Sequence, residues 1–308
     1  MNIKIILTAF LFLSFFTVSS VSADIVTQDP DVVNVMTFNI RVSDAPDAGV
    51  RHWTKRRPFV ESIINQKISE AKLNELTMLD FVGLQEANWS EMTIFNQTVS
   101  GNQQHTTKGN MGYINFGESV KLFYRSDRWV LDDFGVFEIG SDQWGRRIVG
   151  WAHFLDMNAS GRGIYVLNTH WPVHGNIKGE RVTEWITNRA EKKHPVVMMG
   201  DFNNASSDHG FFHNAEKNVD MVSAYTKLSN PVPQEQLATL GTHSHFSNSW
   251  TGSRIDQLFV SSEKMKGIAF PLQIKHTEII HYPSKKSGDA SAIASDHFPV
   301  FMQLKFGS

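Results

Sequence analysis

Residues 196–203 read VVMMGDFN: four apolar residues, a glycine, then two side chains that carry oxygen around a phenylalanine. A run without polar alternation belongs to a strand covered on both faces, and the glycine marks the turn that ends it. The same pattern returns along the chain. Asn39 closes VVNVMTFN (32–39), Gln85 and Glu86 close FVGL (81–84), and Asn168, Thr169 and His170 close IYVL (164–167). Asp256 lies in RIDQLFV (254–260), and Asp296 and His297 precede FPVFMQL (298–304). Buried strands with polar ends predict a layered α/β domain with a site at those ends, where a rigid scaffold presents side chains to a crevice.

Short apolar or alternating runs at 79–84, 120–124, 130–137, 148–154, 163–168, 273–280 and 300–305 predict further strands bounded by turn residues. Phe59, Ile63, Ile64, Ile68, Leu73 and Leu76 predict a helix over 57–76, and Val182, Trp185, Ile186 and Arg189 another over 179–193, closed by Pro195. A third helix is expected over 207–218, with Ser206, Ser207 or Asp208 as its N-cap. Strands outnumber helices, yet helices are interspersed. The expected class is therefore mixed α/β (α+β), sheet packed on sheet with helices outside. No repeat or Pro/Gly/Ser-rich linker divides the chain, so residues 32–308 are expected as one domain after a flexible lead-in at 24–31. Residues 101–117, 140–147 and 228–250 are expected as the loops that set specificity.

The bulk numbers narrow the class. The chain has 308 residues, 29 basic and 31 acidic groups, and no cysteine. That composition is ordinary for a soluble globular protein and excludes disulfide scaffolds, thiolate nucleophiles, Cys-rich zinc sites and iron–sulfur clusters. Residues 1–23 carry Lys4, an apolar run over 5–18 and small residues Val21-Ser22-Ala23, the arrangement of a secretory signal peptide. The apolar run is short for a membrane span, which needs about 20 residues. The protein is expected to be exported, to a periplasm or the medium. A net charge of −2 lacks the global field of a dedicated nucleic-acid binder.

Glu86, Asp201, Asp256 and Asp296 are hard oxygen donors, Asn39 and Asn203 are neutral ones, and His170 and His297 titrate near neutrality. Such donors suit Mg²⁺ or Mn²⁺ better than zinc. A divalent ion, two histidines and spare carboxylates are what phosphoester hydrolysis needs.

The ordered set TFNI (37–40), LQEA (84–87), NTH (168–170), GDFN (200–203), RIDQLFVS (254–261) and SDHFPV (295–300) resembles the endonuclease/exonuclease/phosphatase superfamily, the DNase I-like phosphoesterases. The resemblance implies a four-layer sandwich, two packed mixed β-sheets flanked by helices. It implies Glu86 as main metal ligand with Asn39 and Asp296 completing or supporting the site. Asp201 would orient or deprotonate the attacking water, Asn203 would bond the phosphoryl oxygens, His297 would stabilise developing charge, and Asp256 would fix the His297 tautomer. His170 would be the second catalytic histidine, protonating the leaving oxygen. HWTKRRPFV (52–60), RRIVGWAHF (146–154) and GTHSHF (241–246) resemble stretches of one branch of that superfamily, which brings Arg147 and His174 forward as substrate-binding residues.

The expected activity is that of an exported phosphoesterase acting on a small molecule, a nucleic acid or a lipid headgroup, as a monomer with no protein partner. The rivals are an extracellular nuclease and a sphingomyelinase-like hydrolase, the latter needing an apolar membrane anchor such as Phe211-Phe212 or Phe270-Pro271-Leu272. A catalytically silent binding protein is disfavoured, since every mapped position is occupied. Arg41, Arg56 and Arg57 could also grip phosphate, and Trp171 could either stack on substrate or pack. His243 and His245 are expected at the surface or the pocket rim.

Overall fold

Alternation along the strands sets two faces, and both are apolar. In the chain's first strand Val33 and Val35 point one way and Met36 and Phe38 the other, all fully buried. The computed structural model describes residues 29–73, 79–89, 91–94, 97–100, 103–174, 177–205, 210–214, 216–230, 232–246, 250–281 and 294–307. The leader expected at 1–23 lies outside them, as do most of the lead-in, part of the helix expected at 207–218 and the end of that expected at 57–76.

The strands are β1 (Val32–Asn39), β2 (Phe81–Gln85), β3 (Glu91–Ile94), β4 (Gln97–Ser100), β5 (His105–Lys108), β6 (Met111–Gly117), β7 (Val120–Arg125), β8 (Trp129–Asp142), β9 (Gly145–Asp156), β10 (Gly163–His170), β11 (Val196–Asp201), β12 (Met221–Ser223), β13 (Asp256–Ser261), β14 (Leu272–Ile279) and β15 (Val300–Phe306). The helices are α1 (Trp53–Leu73), α2 (Glu180–Asn188) and the one-turn α3 (Gln234–Leu237). One sheet runs β14-β15-β1-β2-β7-β6-β5, the other β12-β13-β11-β10-β9-β8, and β3-β4 form a separate hairpin. Both sheets are mixed: β1–β2 and β10–β11 are parallel and the other pairs antiparallel.

Between the sheets, Val33, Val35, Phe81 and Leu122 of one meet Val166, Val197, Met199 and Leu258 of the other. Outside the first sheet, Met36, Phe38, Val82 and Leu84 pack on Val60 and Ile64 of α1. Outside the second, Tyr165, Leu167, Val196 and Met198 pack on Val182 and Ile186 of α2. The four layers follow, but the helical cover is sparse. The β3–β4 hairpin, through Met92, Ile94 and Val99, and a 3₁₀ turn at Gly210–Phe212 complete it.

Four expectations need correction. Of the helix expected at 207–218, the described part is a single 3₁₀ turn at Gly210–Phe212 followed by a bridge from Asn214 to Val219. Residues 105–117 are the hairpin β5–β6 rather than a loop. Gly112 reads as a breaker, yet it is required in the strand, because a Cβ there would lie 1.9 Å from a Tyr124 ring carbon. Residues 140–147 are the tip of the long β8–β9 hairpin, with pairing carried through to Asp142 and Gly145. Helix α2 stops at Asn188 because Arg189 is extended, and its guanidinium binds the carbonyls of Ile186, Lys192 and His194. Among the described residues, no helix is long and apolar enough to cross a membrane.

Gly200 carries the edge of the site. Its φ is +152°, and a Cβ there would stand 2.1 Å from the Thr169 carbonyl oxygen on the neighbouring parallel strand. Neither a side chain nor β10 can yield without moving His170. Gly200→Ala should therefore cost about 3 kcal/mol of stability or more in denaturant unfolding. A cost under about 1 kcal/mol would contradict this account of the turn.

Candidate active site

Strand parity delivers the site. Asn39 continues the inward register of Val33 and Val35, His170 that of Ile164 and Val166, Asp201 that of Val197 and Met199, and Asp256 that of Leu258 and Val260. Asp201 lies opposite His170 on one side and Asp256 on the other. The same end of the inter-sheet space thus changes from aliphatic to polar.

A buried amide layer divides the two. Asn168 donates from Nδ2 to the carbonyls of Leu84 (3.1 Å) and Lys121 (2.8 Å), and its oxygen accepts from Gln85 Nε2 at 2.6 Å. Gln85 also donates to Thr37 Oγ1.

Above it, Asn39 Nδ2 donates to Glu86 Oε1 (3.0 Å) and Asp201 Oδ2 (2.9 Å), while its oxygen accepts the Arg41 N–H at 2.9 Å. Carboxylates only accept, so the amide group facing both of them is the NH₂. Asn39, expected to offer its oxygen to a metal, here braces the two carboxylates instead. Glu86 sits at φ +54°, a left-handed conformation costing about 1 kcal/mol or more, and its second oxygen accepts the Val42 N–H at 3.0 Å. Burial opposes its ionisation, but the Asn39 amide donor, the cationic His297 ring and the Val42 N–H outweigh burial and hold the carboxyl below its usual value.

His297 is buried, with Nδ1 2.8 Å from Asp256 Oδ2 and Nε2 3.8 Å from Asp201 Oδ2. Burial disfavours the charged ring, but Asp256, then Asp201 and Asp296, push its pKa up to about 10. Its ring lies 4.6 Å from that of His243, which burial and the His297 charge push down to about 4. Asp201 responds to burial and to Asp256 by holding its proton more tightly than an ordinary carboxyl, although the cationic His297 opposes this.

His170 has the opposite environment. Its Nδ1 lies 3.1 Å from Arg147 Nη1, and its Nε2 3.5 Å from Asp201 Oδ2. A guanidinium only donates, so Nδ1 bears the lone pair and the proton sits on Nε2. Burial, with a contribution from Arg147, keeps the ring neutral in spite of Asp201 and Glu86. Arg147 is itself clamped by Asp142 at 2.8 and 3.0 Å.

Glu86, Arg147, His170, Asp201 and His297 line one cleft of about 560 Å³ with Arg41, Asn203, His243 and Asp296, while Asn39, Asp142 and Asp256 are bonded to lining residues. Asn203, at φ +49°, donates its N–H to Asp201 Oδ1 (2.8 Å) and its amide to the Trp171 carbonyl (2.8 Å). Asp296 lies 3.6 Å from Arg41 Nη1. Among the described residues two donor groups converge within ligation distance, His243, Asp296 and His297, and Asp201, Asp256 and His297, but both include His297, whose cationic ring has no lone pair to offer. The carboxylates Glu86 and Asp296, both lining the cleft, provide the hard oxygens that Mg²⁺ or Mn²⁺ prefers.

Other expected residues fall elsewhere. His174 is exposed and does not line the cleft. Arg56 is fully buried and donates to the carbonyls of Ile40 (2.7 Å), Val42 (3.1 Å), Arg51 (2.6 Å) and Ala294 (2.9 Å), tying the loop after β1 to the segment that carries Asp296. Arg57 pairs with Glu61 on α1. Trp171 packs between Phe202 and Phe211. Sequence reasoning missed Asp142 and Trp144 because the β8–β9 hairpin tip read as a loop, and Glu118 because it lies in the short turn between β6 and β7. Gly145 after Gln143-Trp144 was the available turn signal.

The profile of the Endonuclease/Exonuclease/phosphatase family matches residues 36–297, and the chain belongs to that family of phosphoester hydrolases. No curated protein matches it. Among solved structures it is similar to an endonuclease/exonuclease/phosphatase family protein from Bacteroides thetaiotaomicron, at 20% identity and a TM-score of 0.64 over 90% of this chain and 98% of that one. It is also similar to a mannosyl-6-phosphatase from the same organism (21%, TM-score 0.62, 89% and 100% covered) and to ANGEL2, a 2′,3′-cyclic phosphatase (15%, TM-score 0.55, 89% and 95% covered).

The Asp256–His297 pair gives a direct test. In chelator-treated protein the His297 ring should stay cationic across neutrality and lose its proton only near pH 10, read by NMR. In Asp256→Asn it should titrate at about pH 6 to 7. Identical titration in both proteins would contradict the assignment.

Proposed function

We propose that this chain is an exported, Mg²⁺- or Mn²⁺-dependent hydrolase of small phosphate esters. The observation that carries the reading is that one acid, Asp201, stands 3.5 and 3.8 Å from two imidazoles, one held through Nδ1 by Arg147 and the other by Asp256. The family membership supports the reaction class, the neighbouring phosphatases support a small substrate, and the leader read at residues 1–23 supports export. A cleft of about 560 Å³ is of small-ligand size. The anchors a lipid hydrolase would need are core residues here: Phe212 is fully buried and Phe211 stacks on Trp171.

A cation held by Glu86 and Asp296 would neutralise a phosphoryl oxygen of the bound ester. Arg41 and Arg147 add positive charge at the cleft that receives it. Asp201, its basicity raised by burial, accepts the proton of the attacking water. His170, neutral and protonated on Nε2, donates a hydrogen bond toward the phosphoryl group. It is not the proton source, since losing that proton would leave an imidazolate. His297 is cationic and carries an Nε2 proton, so it stabilises the pentacoordinate charge and protonates the leaving oxygen. Asp256, 2.8 Å from Nδ1, keeps that nitrogen protonated throughout, so His297 is left as a neutral imidazole once Nε2 has given up its proton.

Glu86→Gln and His297→Ala should each lower kcat on a phosphate ester by about 10²-fold or more. Chelation should abolish turnover, and Mg²⁺ or Mn²⁺ should restore it. Near-wild-type turnover in either variant, or activity indifferent to chelator, would sink the reading.

A further inference from the structure

At the tip of the β8–β9 hairpin, Trp144 is 65% exposed, more than any other large apolar residue among the described ones. It lines the cleft. An indole in water is costly to maintain, and among the described residues no ring or cation contact engages it. Its position is nonetheless built. Asp142, with its side chain 2% exposed, accepts the Trp144 N–H at 3.0 Å and clamps Arg147 at 2.8 Å. The residue that aims Arg147 at His170 therefore also fixes the turn that carries the indole.

The rest of the rim has a definite chemistry. Besides Trp144 the lining holds Val173, Ala45 and Pro46, and Glu118, Ser119 and Arg146. Glu118 and Arg146 form an ion pair at 2.9 and 3.2 Å. Both remain accessible, with side chains 33% and 66% exposed. One flat apolar face beside a carboxylate, a hydroxyl and a guanidinium matches a ring with an apolar CH face and hydroxyls on its edge. A nucleobase would instead favour a second large aromatic wall, and among the described lining residues Trp144 is the only Trp, Tyr or Phe.

We propose that Trp144, with Glu118 and Arg146, forms a subsite for a sugar ring that carries the scissile phosphate. The phosphate enters among Arg41, Arg147 and the two catalytic imidazoles, and the sugar lies on the indole at the cleft mouth. This rests on the phosphoesterase reading and names its substrate class.

The test compares kcat/KM of the Mg²⁺-loaded wild type, Trp144→Ala, Trp144→Phe and Glu118→Gln on glycerol 1-phosphate, a hexose 6-phosphate and a nucleoside 5′-monophosphate. For Trp144→Ala, the hexose-to-glycerol ratio should fall about tenfold, mainly through KM, in line with the worth of one aromatic contact. Trp144→Phe should recover part of the ratio, and Glu118→Gln should lower it. A ratio unmoved in Trp144→Ala, with the wild type hydrolysing both esters, overturns the subsite and leaves the phosphoesterase reading standing. A fall confined to the nucleotide overturns the sugar assignment. A wild type that hydrolyses none of the three overturns both.

Discussion

The two sheets are tied together, directly beneath the cleft, by the side-chain amide of Asn168. It spans from β10 to the carbonyls of Leu84 and Lys121 and to the Gln85 amide on the facing sheet. Aliphatic packing alone lets sheets slide, because contacts between such side chains carry no direction. A buried amide bridge does not, since each misplaced donor or acceptor costs about 1–3 kcal/mol. Gly83 makes room for it: a Cβ there would come within 2.9 Å of the Asn168 amide. The residues to which we assign chemistry, Glu86, His170 and Asp201, stand within one or two positions of this bridge or of the strand paired with it. Their spacing is therefore set by the fold rather than by loops.

Upon that floor the environments of two chemically identical side chains diverge. His297 faces Asp256 through Nδ1 and is held cationic, whereas His170 faces Arg147 through Nδ1 and is held neutral. Two like groups pushed apart by their neighbours divide the roles of an acid and a neutral donor, as expected where one site must both stabilise charge and move a proton. Arg147 performs two tasks at once, fixing the His170 tautomer and placing positive charge at the cleft, and the nearly buried Asp142 keeps it there.

Much of this was legible in the sequence for physical reasons. Apolar runs ending in polar residues marked the strands whose inward parity meets at one end, and of the residues there Glu86, His170, Asp201, Asn203, Asp296 and His297 line the cleft, whereas Asn39 and Asp256 are bonded to them. Partners that depend on long-range geometry were not legible. Nothing local tells that Arg56 is a buried brace for backbone carbonyls while Arg147 faces the cleft, or that the Asn39 amide turns its nitrogen to the carboxylates. The β5–β6 hairpin was hidden by Gly112, a strand breaker by propensity that Tyr124 makes necessary. Trp144 was hidden because a two-residue turn joining long strands resembles a loop when read alone.

The central claim is that Glu86, Asp201, His170 and His297 address one phosphorus atom. The most direct measurement is a crystal structure of the wild-type protein grown with Mn²⁺ and inorganic phosphate. The account predicts a phosphate within hydrogen-bond distance of both His170 Nε2 and His297 Nε2, with metal density bridging it to Glu86. Phosphate bound elsewhere, or either imidazole turned away from it, would contradict the account.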